Sequence, residues 1–221
     1  VKGPVHFIHL GGALVWQNLR AVVTAHVHGG PICWWGVDPR EVPGNVEYEH
    51  IRLPRWQRDH PVQLANVKDF YAYSILHEHG GIYLDMDTIS LRPAWDLLTA
   101  DVCPATDFPD TDTSHPRHNT FALLGRKGAP VLRELAGAAE DLLREGCSDW
   151  GALGPSLISA FIEADPAPFS PSPYLSLSGW SYHTIDDYYR EPRDPGEPCR
   201  VIHLYSSDHP EWLEDRWMPT T

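Results

Sequence analysis

The sequence predicts an α/β fold, and two observations carry that expectation. Runs rich in β-branched and aromatic residues alternate along the chain with runs whose apolar positions recur at helical spacing, and glycine pairs punctuate the joins. The run "GIYLDMD" (Gly81 to Asp87) is apolar until two carboxylates close it, which is the pattern of a strand covered on both faces in the middle of a sheet.

The elements follow in order. "VHFIHL" (Val5 to Leu10) reads as a first strand closed by Gly11 and Gly12. From Ala13 to His28, Leu14, Val15, Leu19, Val22, Val23 and Val27 keep helical spacing, and Gly29, Gly30 and Pro31 stop the run. "ICWWGV" (Ile32 to Val37) and "VEYEHIRL" (Val46 to Leu53) read as strands separated by a Pro/Gly turn, which completes a βαβ beginning. Pro61 suits the first turn of a helix with Asp59 or His60 at its cap, and Val62, Leu64, Ala65, Val67, Phe70, Tyr71, Ile75 and Leu76 give that helix a broad apolar face up to His79. Gly80 and Gly81 end it, and the "GIYLDMD" strand begins. "DVCPATDF" and "TFALLG" are further strands, Ala129 to Glu145 is a helix, "GPSLISAFIEA" a shorter one, and "RVIHLYS" (Arg200 to Ser206) the last strand. A single domain over 1–221 is expected, with an irregular Pro/Ser/Tyr-rich region at about 164–198.

Composition excludes several classes of function. Seventeen Lys plus Arg against 30 Asp plus Glu give a net charge of −13, the wrong sign for a nucleic-acid or anionic-membrane partner. Only 21% of residues are charged and nine are tryptophan, as in a globular chain with aromatic side chains to spare for a site. Cys33, Cys103, Cys147 and Cys199 lie far apart with no Cys-x-x-Cys pair, so free thiols are expected rather than a zinc site or a disulfide framework. No window is long and apolar enough for a membrane span, and the expected location is the cytosol.

Ligands of an α/β sheet bind beyond the carboxyl ends of its strands, where Asp85 and Asp87 stand. In an extended segment residues i and i+2 point the same way, so both carboxylates are expected to face one ligand while Met86 points away. Two adjacent anions repel unless a cation or a row of hydroxyls sits between them. Hard oxygen ligands suit Mg²⁺ or Mn²⁺, ions that also bind substrate phosphates, and such an ion can stabilise a departing nucleoside diphosphate. Sugar transfer from a nucleotide sugar uses this chemistry. A phosphatase with Asp85 as nucleophile is the alternative among enzymes, although its pattern wants Thr or Val four residues after the first Asp, where this chain has Ile89.

"KDFYAYSILHEHGGIYLDMD" (Lys68 to Asp87) resembles the signature of glycosyltransferases with a DXD sugar-binding region, those of family 32 and the large clostridial glucosylating toxins, whose pattern is roughly Ser-Asp-x-x-Arg, an apolar helix, then Gly-Gly-x-Tyr-x-Asp-x-Asp. "HFIHLGG", "NTFALLG", "LGPSL" and "VIHLYSSDHPEW" are similar to other segments of that family. The resemblance implies a GT-A-type (Rossmann-like) mixed sheet flanked by helices, a UDP- or GDP-sugar donor, Mn²⁺ or Mg²⁺, and a hexosyltransferase that retains anomeric configuration. By position it implies that Asp69 and Asp85 bind donor hydroxyls and form the reacting centre with Asn119. His9, Leu10, Gly11, Ala72, Tyr83 and Met86 complete the implied donor site, with Asp87 and His203 as metal ligands.

Two positions depart from the pattern. Ala72 stands where the family has Arg, which removes a guanidinium fork, and His9 stands where an aromatic would stack on the base. A non-catalytic nucleotide-sugar-binding relative is therefore a third reading. Of the 13 histidines, His26 and His28, and His77 and His79, are two apart, a spacing that places them on different helix faces and suits helix-end positions rather than chelation. His203 as a metal ligand would lose its ion on protonation, at a pH near about 6.5 for an ordinary ring. The acidic stretch 107–118 is expected to form a lid or acceptor loop, and "SYHTIDDYY" (Ser181 to Tyr189) to offer aromatics for sugar binding.

Overall fold

The computed structural model describes residues 3–11, 14, 16–28, 30–42, 46–53, 63–107, 117–172, 175 and 199–203. Its main sheet has six strands. In chain order the elements are β1 (Val5–His9), α1 (Trp16–His28), β2 (Ile32–Gly36), β3 (Glu47–His50), α2 (Leu64–His79), β4 (Gly81–Leu84), β5 (Thr88–Ser90), β6 (Val102–Asp107), β7 (Arg117–Gly125), α3 (Pro130–Arg144), α4 (Leu157–Ala164) and β8 (Val201–His203). The strands are ordered β3-β2-β1-β4-β7-β6, while β5 and β8 pair separately. β3, β2, β1 and β4 run parallel, and β7 is antiparallel to both β4 and β6, so the sheet is mixed.

Strand alternation distributes the core over both faces. Ile8 and Tyr83 join Leu76, Leu132, Leu135, Leu153 and Ile158 under α2, α3 and α4. Phe7, Ile82 and Leu84 point the other way, into a cluster with Ala21, Val22 and Ala25 of α1 and Val201 of β8. All four residues of β4 are buried, as the apolar run predicts for a strand between two layers. Each large apolar side chain so buried contributes about 1.5–3 kcal/mol.

The double glycine between α2 and β4 is a steric requirement. Gly80 has φ +66, and a Cβ there would lie 2.7 Å from the Lys127 backbone nitrogen; at Gly81, φ +115, it would lie 2.3 Å from the Pro4 carbonyl oxygen. Only glycine takes these angles and lets α2 end directly against the loop before α3 and the residues leading into β1.

Several expected boundaries move. The second helix begins at Leu64 with Gln63 at its cap; Asp59, His60 and Pro61 lie outside the described residues. The third strand is shorter than 46–53 and largely exposed, being an edge strand. "GPSL" forms a π-helical turn (Ala152–Ser156) before α4, in keeping with Pro155, which has no N–H to give a regular ladder. Of the irregular region at about 164–198, residues 168–172 run beside β6: the amides of Ser170 and Ser172 bond the carbonyls of Val102 and Pro104, and Val102 bonds Pro168. Residues 164–167 close α4 and lead into this run, and of 173–198 only residue 175 is among the described residues. The four cysteines are free thiols. No helix among the described residues is long and apolar enough to cross a membrane.

Candidate active site

The acidic motif does not continue β4. The strand stops at Leu84, Met86 and Asp87 form a turn, and Thr88 opens β5. The two carboxylates are therefore not i and i+2 of one extended strand, and it is the turn that brings them together. The Thr88 hydroxyl closes the turn by donating to the Asp85 carbonyl at 2.7 Å. Asn18 of α1 donates its Nδ2–H to the Met86 carbonyl at 3.1 Å. Met86, expected at the donor site, packs its side chain against the core cluster beneath α1.

β5 is the element that sequence reading missed. It is three residues long, and it pairs antiparallel with β8 so that Thr88 faces His203. That pairing carries a histidine across 116 positions of chain to Asp87: His203 Nε2 lies 3.1 Å from Asp87 Oδ1. The ring is stacked on Phe121 of β7, with centroids 4.2 Å apart and planes 10° apart. Asp85, Asp87 and His203 thus offer two carboxylate oxygens and an imidazole nitrogen, all within 4.8 Å of one another. An O,O,N donor set of this size suits Mn²⁺ or Mg²⁺, and the two half-buried anions give the charge that such an ion would neutralise.

Asp85 has partners of its own. Lys68 Nζ on α2 lies 2.8 Å from each of its oxygens, and the Tyr83 hydroxyl donates a short hydrogen bond to Oδ1. Burial, and then the charge of Asp85, push the Tyr83 pKa well above its usual value, so the phenol stays a donor. Burial works to lower the Lys68 pKa, but Asp85, Asp69 and Asp87 outweigh it and hold the pKa above 10.5.

Asp69 sits deeper, 5% exposed, and accepts from the Thr120 hydroxyl at 2.9 Å. Burial raises its pKa to about 7; Lys68 lowers it and Asp85 raises it. The π-helical turn closes over this pair, for a Cβ on Gly154 would meet Asp69 Oδ2 at 2.5 Å and Thr120 Oγ1 at 2.6 Å. Tyr73 fixes the same turn by donating to the Leu153 carbonyl at 2.8 Å.

β7 joins the two halves of the site. Its register with β6 jumps from Pro104 opposite Leu123 to Ala105 opposite Asn119, leaving Thr120, Phe121 and Ala122 as extra residues. Such irregularities re-aim side chains. Thr120 reaches Asp69 while its neighbour Phe121 reaches His203, and Asn119 is half-buried beside them.

The remaining expected residues divide. His9, Leu10 and Gly11 lie at the carboxyl end of β1, the parallel neighbour of β4, with the His9 ring 5.7 Å from Trp34. Ala72 is fully buried in the core under α3, so its side chain does not reach the carboxylates as it stands. Lys68, four residues earlier on α2, does. Sequence reading passed over Lys68, Thr120 and Phe121. The available signal was the spacing of positions 68 and 72, which lie one helical turn apart on one face. Residues 108–116 and 181–189, expected to supply a loop and sugar-binding aromatics, lie outside the described residues.

Comparison with known proteins agrees with this geometry. Residues 49–107 match the family model described as "Glycosyltransferase sugar-binding region containing DXD motif". No curated protein matches the chain in sequence. Among solved structures the fold is similar to that of "PaToxG Glycosyltransferase", with a TM-score of 0.55, 15% identity, and coverage of 75% of this chain and 70% of that one. The matched region contains α2, the turn with its two carboxylates and β5. Residues 49–107 thus resemble a DXD-containing glycosyltransferase sugar-binding region, set in a mixed α/β fold of the GT-A type.

Proposed function

We propose that the chain transfers a sugar from a UDP- or GDP-sugar to an acceptor with the help of a divalent ion, with retention at the anomeric carbon. The observation that carries this reading is the convergence beyond the carboxyl end of β4 of Asp85 and Asp87, which lie inside the matched sugar-binding region, with His203 from outside it. Asp87 and His203 would hold Mn²⁺ or Mg²⁺, with Asp85 as the third ligand or as a partner of the donor's hydroxyls. The bound ion would supply positive charge against the diphosphate as the bond between the anomeric carbon and the phosphate oxygen breaks. The acceptor oxygen forms the new bond to that carbon and its proton is released.

The chain's own groups do the positioning. Tyr83 and Lys68 fix the orientation of the Asp85 carboxylate, Phe121 fixes the plane of His203, and the Gly154 turn fixes Asp69. The end of β1, His9 to Gly11, is the natural place for the nucleotide, being the parallel neighbour of the acidic turn.

The test is calorimetry with UDP or GDP in the presence of Mn²⁺. Asp87→Asn should abolish the Mn²⁺-dependent part of binding and leave the chain folded, because the exchange removes a charge and leaves the turn's backbone bonds in place. Unchanged affinity would sink the ligand assignment. Binding without transfer or hydrolysis of any nucleotide sugar would favour the non-catalytic relative, and release of phosphate from simple esters without a nucleotide would favour the phosphatase.

A further inference from the structure

Lys68 is a charged group at the centre of the site to which sugar transfer as described gives no role beyond holding Asp85. Its side chain is 26% exposed, its nitrogen touches both oxygens of Asp85, and the charges of Asp69 and Asp87 also act on it. With the Tyr83 hydroxyl on Oδ1 as well, Asp85 is both neutralised and hydrogen-bonded at rest. Yet Asp85 supplies one of the three ligand atoms of the Asp85, Asp87 and His203 cluster. A divalent ion approaching that cluster meets a carboxylate already occupied by an ammonium and is repelled by the ammonium's charge at close range.

We propose that Lys68 is a positioning residue that makes ion binding depend on the donor, by holding Asp85 until an anionic diphosphate enters. The inference rests on the metal-dependent reading above. An arriving diphosphate brings negative charge that can pair with the ammonium and the ion together, so the repulsion that weakens the ion alone is cancelled. Before that, the site holds its ion weakly.

The measurement is Mn²⁺ affinity without any nucleotide, followed by loss of the free-ion electron paramagnetic resonance signal, in the wild type, Lys68→Gln, Lys68→Met and Lys68→Arg. Loss of the charge should tighten Mn²⁺ binding on the order of tenfold in the Gln and Met variants. The Met variant keeps the buried stem packed, so a poorly folding Gln variant does not spoil the test. Lys68→Arg, which restores a cation, should stay near the wild type. Inorganic pyrophosphate and Mn²⁺ together should raise the wild-type Tm by more than the sum of their separate shifts, and should act additively in the Met variant. A purely structural lysine would give unchanged or weaker Mn²⁺ binding on substitution, and that result overturns the inference. Wild-type Mn²⁺ binding that Asp87→Asn abolishes and Lys68→Met leaves unaltered overturns it alone. Absence of Mn²⁺ binding in every variant overturns it together with the metal-dependent reading.

Discussion

β4 runs between two histidines, His6 buried and His203 half-buried, that the fold uses in opposite ways. His6 contacts the residue before the strand: its Nε2–H donates to the Gly80 carbonyl at 2.8 Å, and its Nδ1 accepts from the Trp35 indole at 3.0 Å. His203 contacts Asp87, beyond the other end of the strand. Both rings are deep in the protein, so burial favours the neutral form of each. For His6, burial prevails and lowers the pKa to about 4, with the Gly80 bond opposing and His79 assisting. For His203, burial also acts downward, but Asp87 by charge and hydrogen bond, and then Asp85, lift the pKa above 6.5. Burial alone therefore does not set the charge of a histidine. The partner does: a carbonyl and an indole N–H lock one neutral tautomer, whereas neighbouring carboxylates favour the protonated ring.

The largest expected break in this comparison is His6→Ala. It leaves a cavity and strands both the Gly80 carbonyl and the Trp35 N–H, and should cost about 3 kcal/mol or more in urea unfolding. Mn²⁺ affinity should persist in whatever fraction remains folded. A loss of ion binding out of proportion to unfolding would show that His6 belongs to the site.

The pH dependence sharpens the same contrast. His6 has a folded pKa below its unfolded value, so the unfolded chain binds more protons between pH 6.5 and about 4, and stability falls across that window as pH drops. At about 1.4 kcal/mol per pH unit the loss approaches about 3 kcal/mol, and His6→Gln should remove it from the stability profile. His203 has the opposite sign. Its ion pair with Asp87 contributes fully below pH 6.5 and is lost as pH rises through the raised folded pKa, in protein without metal. Ion binding needs the neutral ring, so Mn²⁺ affinity should fall on acidification already above pH 6.5, higher than the value of an ordinary imidazole expected from sequence. His203→Ala should weaken Mn²⁺ binding at least tenfold and flatten that acid limb. An unaltered profile would remove His203 from the ligands.

The smallest effect is expected at Phe121, whose ring stacks on His203 while its backbone carbonyl accepts from the Asp85 amide at 2.7 Å, a bond that a side-chain exchange leaves in place. Phe121→Leu should weaken Mn²⁺ binding about threefold, in line with about 0.5–1.5 kcal/mol for a stacked aromatic contact. A change as large as that of His203→Ala would mean that β8 itself shifts.

What was legible in the sequence were features set by local chemistry. Alternating apolar runs gave β1, β2, β4 and the helices, because a strand or helix must bury its apolar face whatever its neighbours. Gly80 and Gly81 were readable as a stop since only glycine accepts those angles, and the Asp85 and Asp87 motif stood at a strand end in the chain itself. The resemblance added residues such as Asp69 and His203. Other features were decided by tertiary structure alone. Three-residue β5 carries no periodicity to read, and it exists because β8 pairs with it. The Asp87 to His203 contact spans 116 positions. Ala72 and Lys68 share one face of α2, and only the packing of α3 over that helix buries the first and leaves the second to reach Asp85. Likewise, Thr120 and Phe121 serve different halves of the site because β7 breaks register with β6. Sequence spacing fixes what neighbours along the chain can do, whereas the Asp85, Asp87 and His203 cluster is assembled from strands whose partners the spacing does not name.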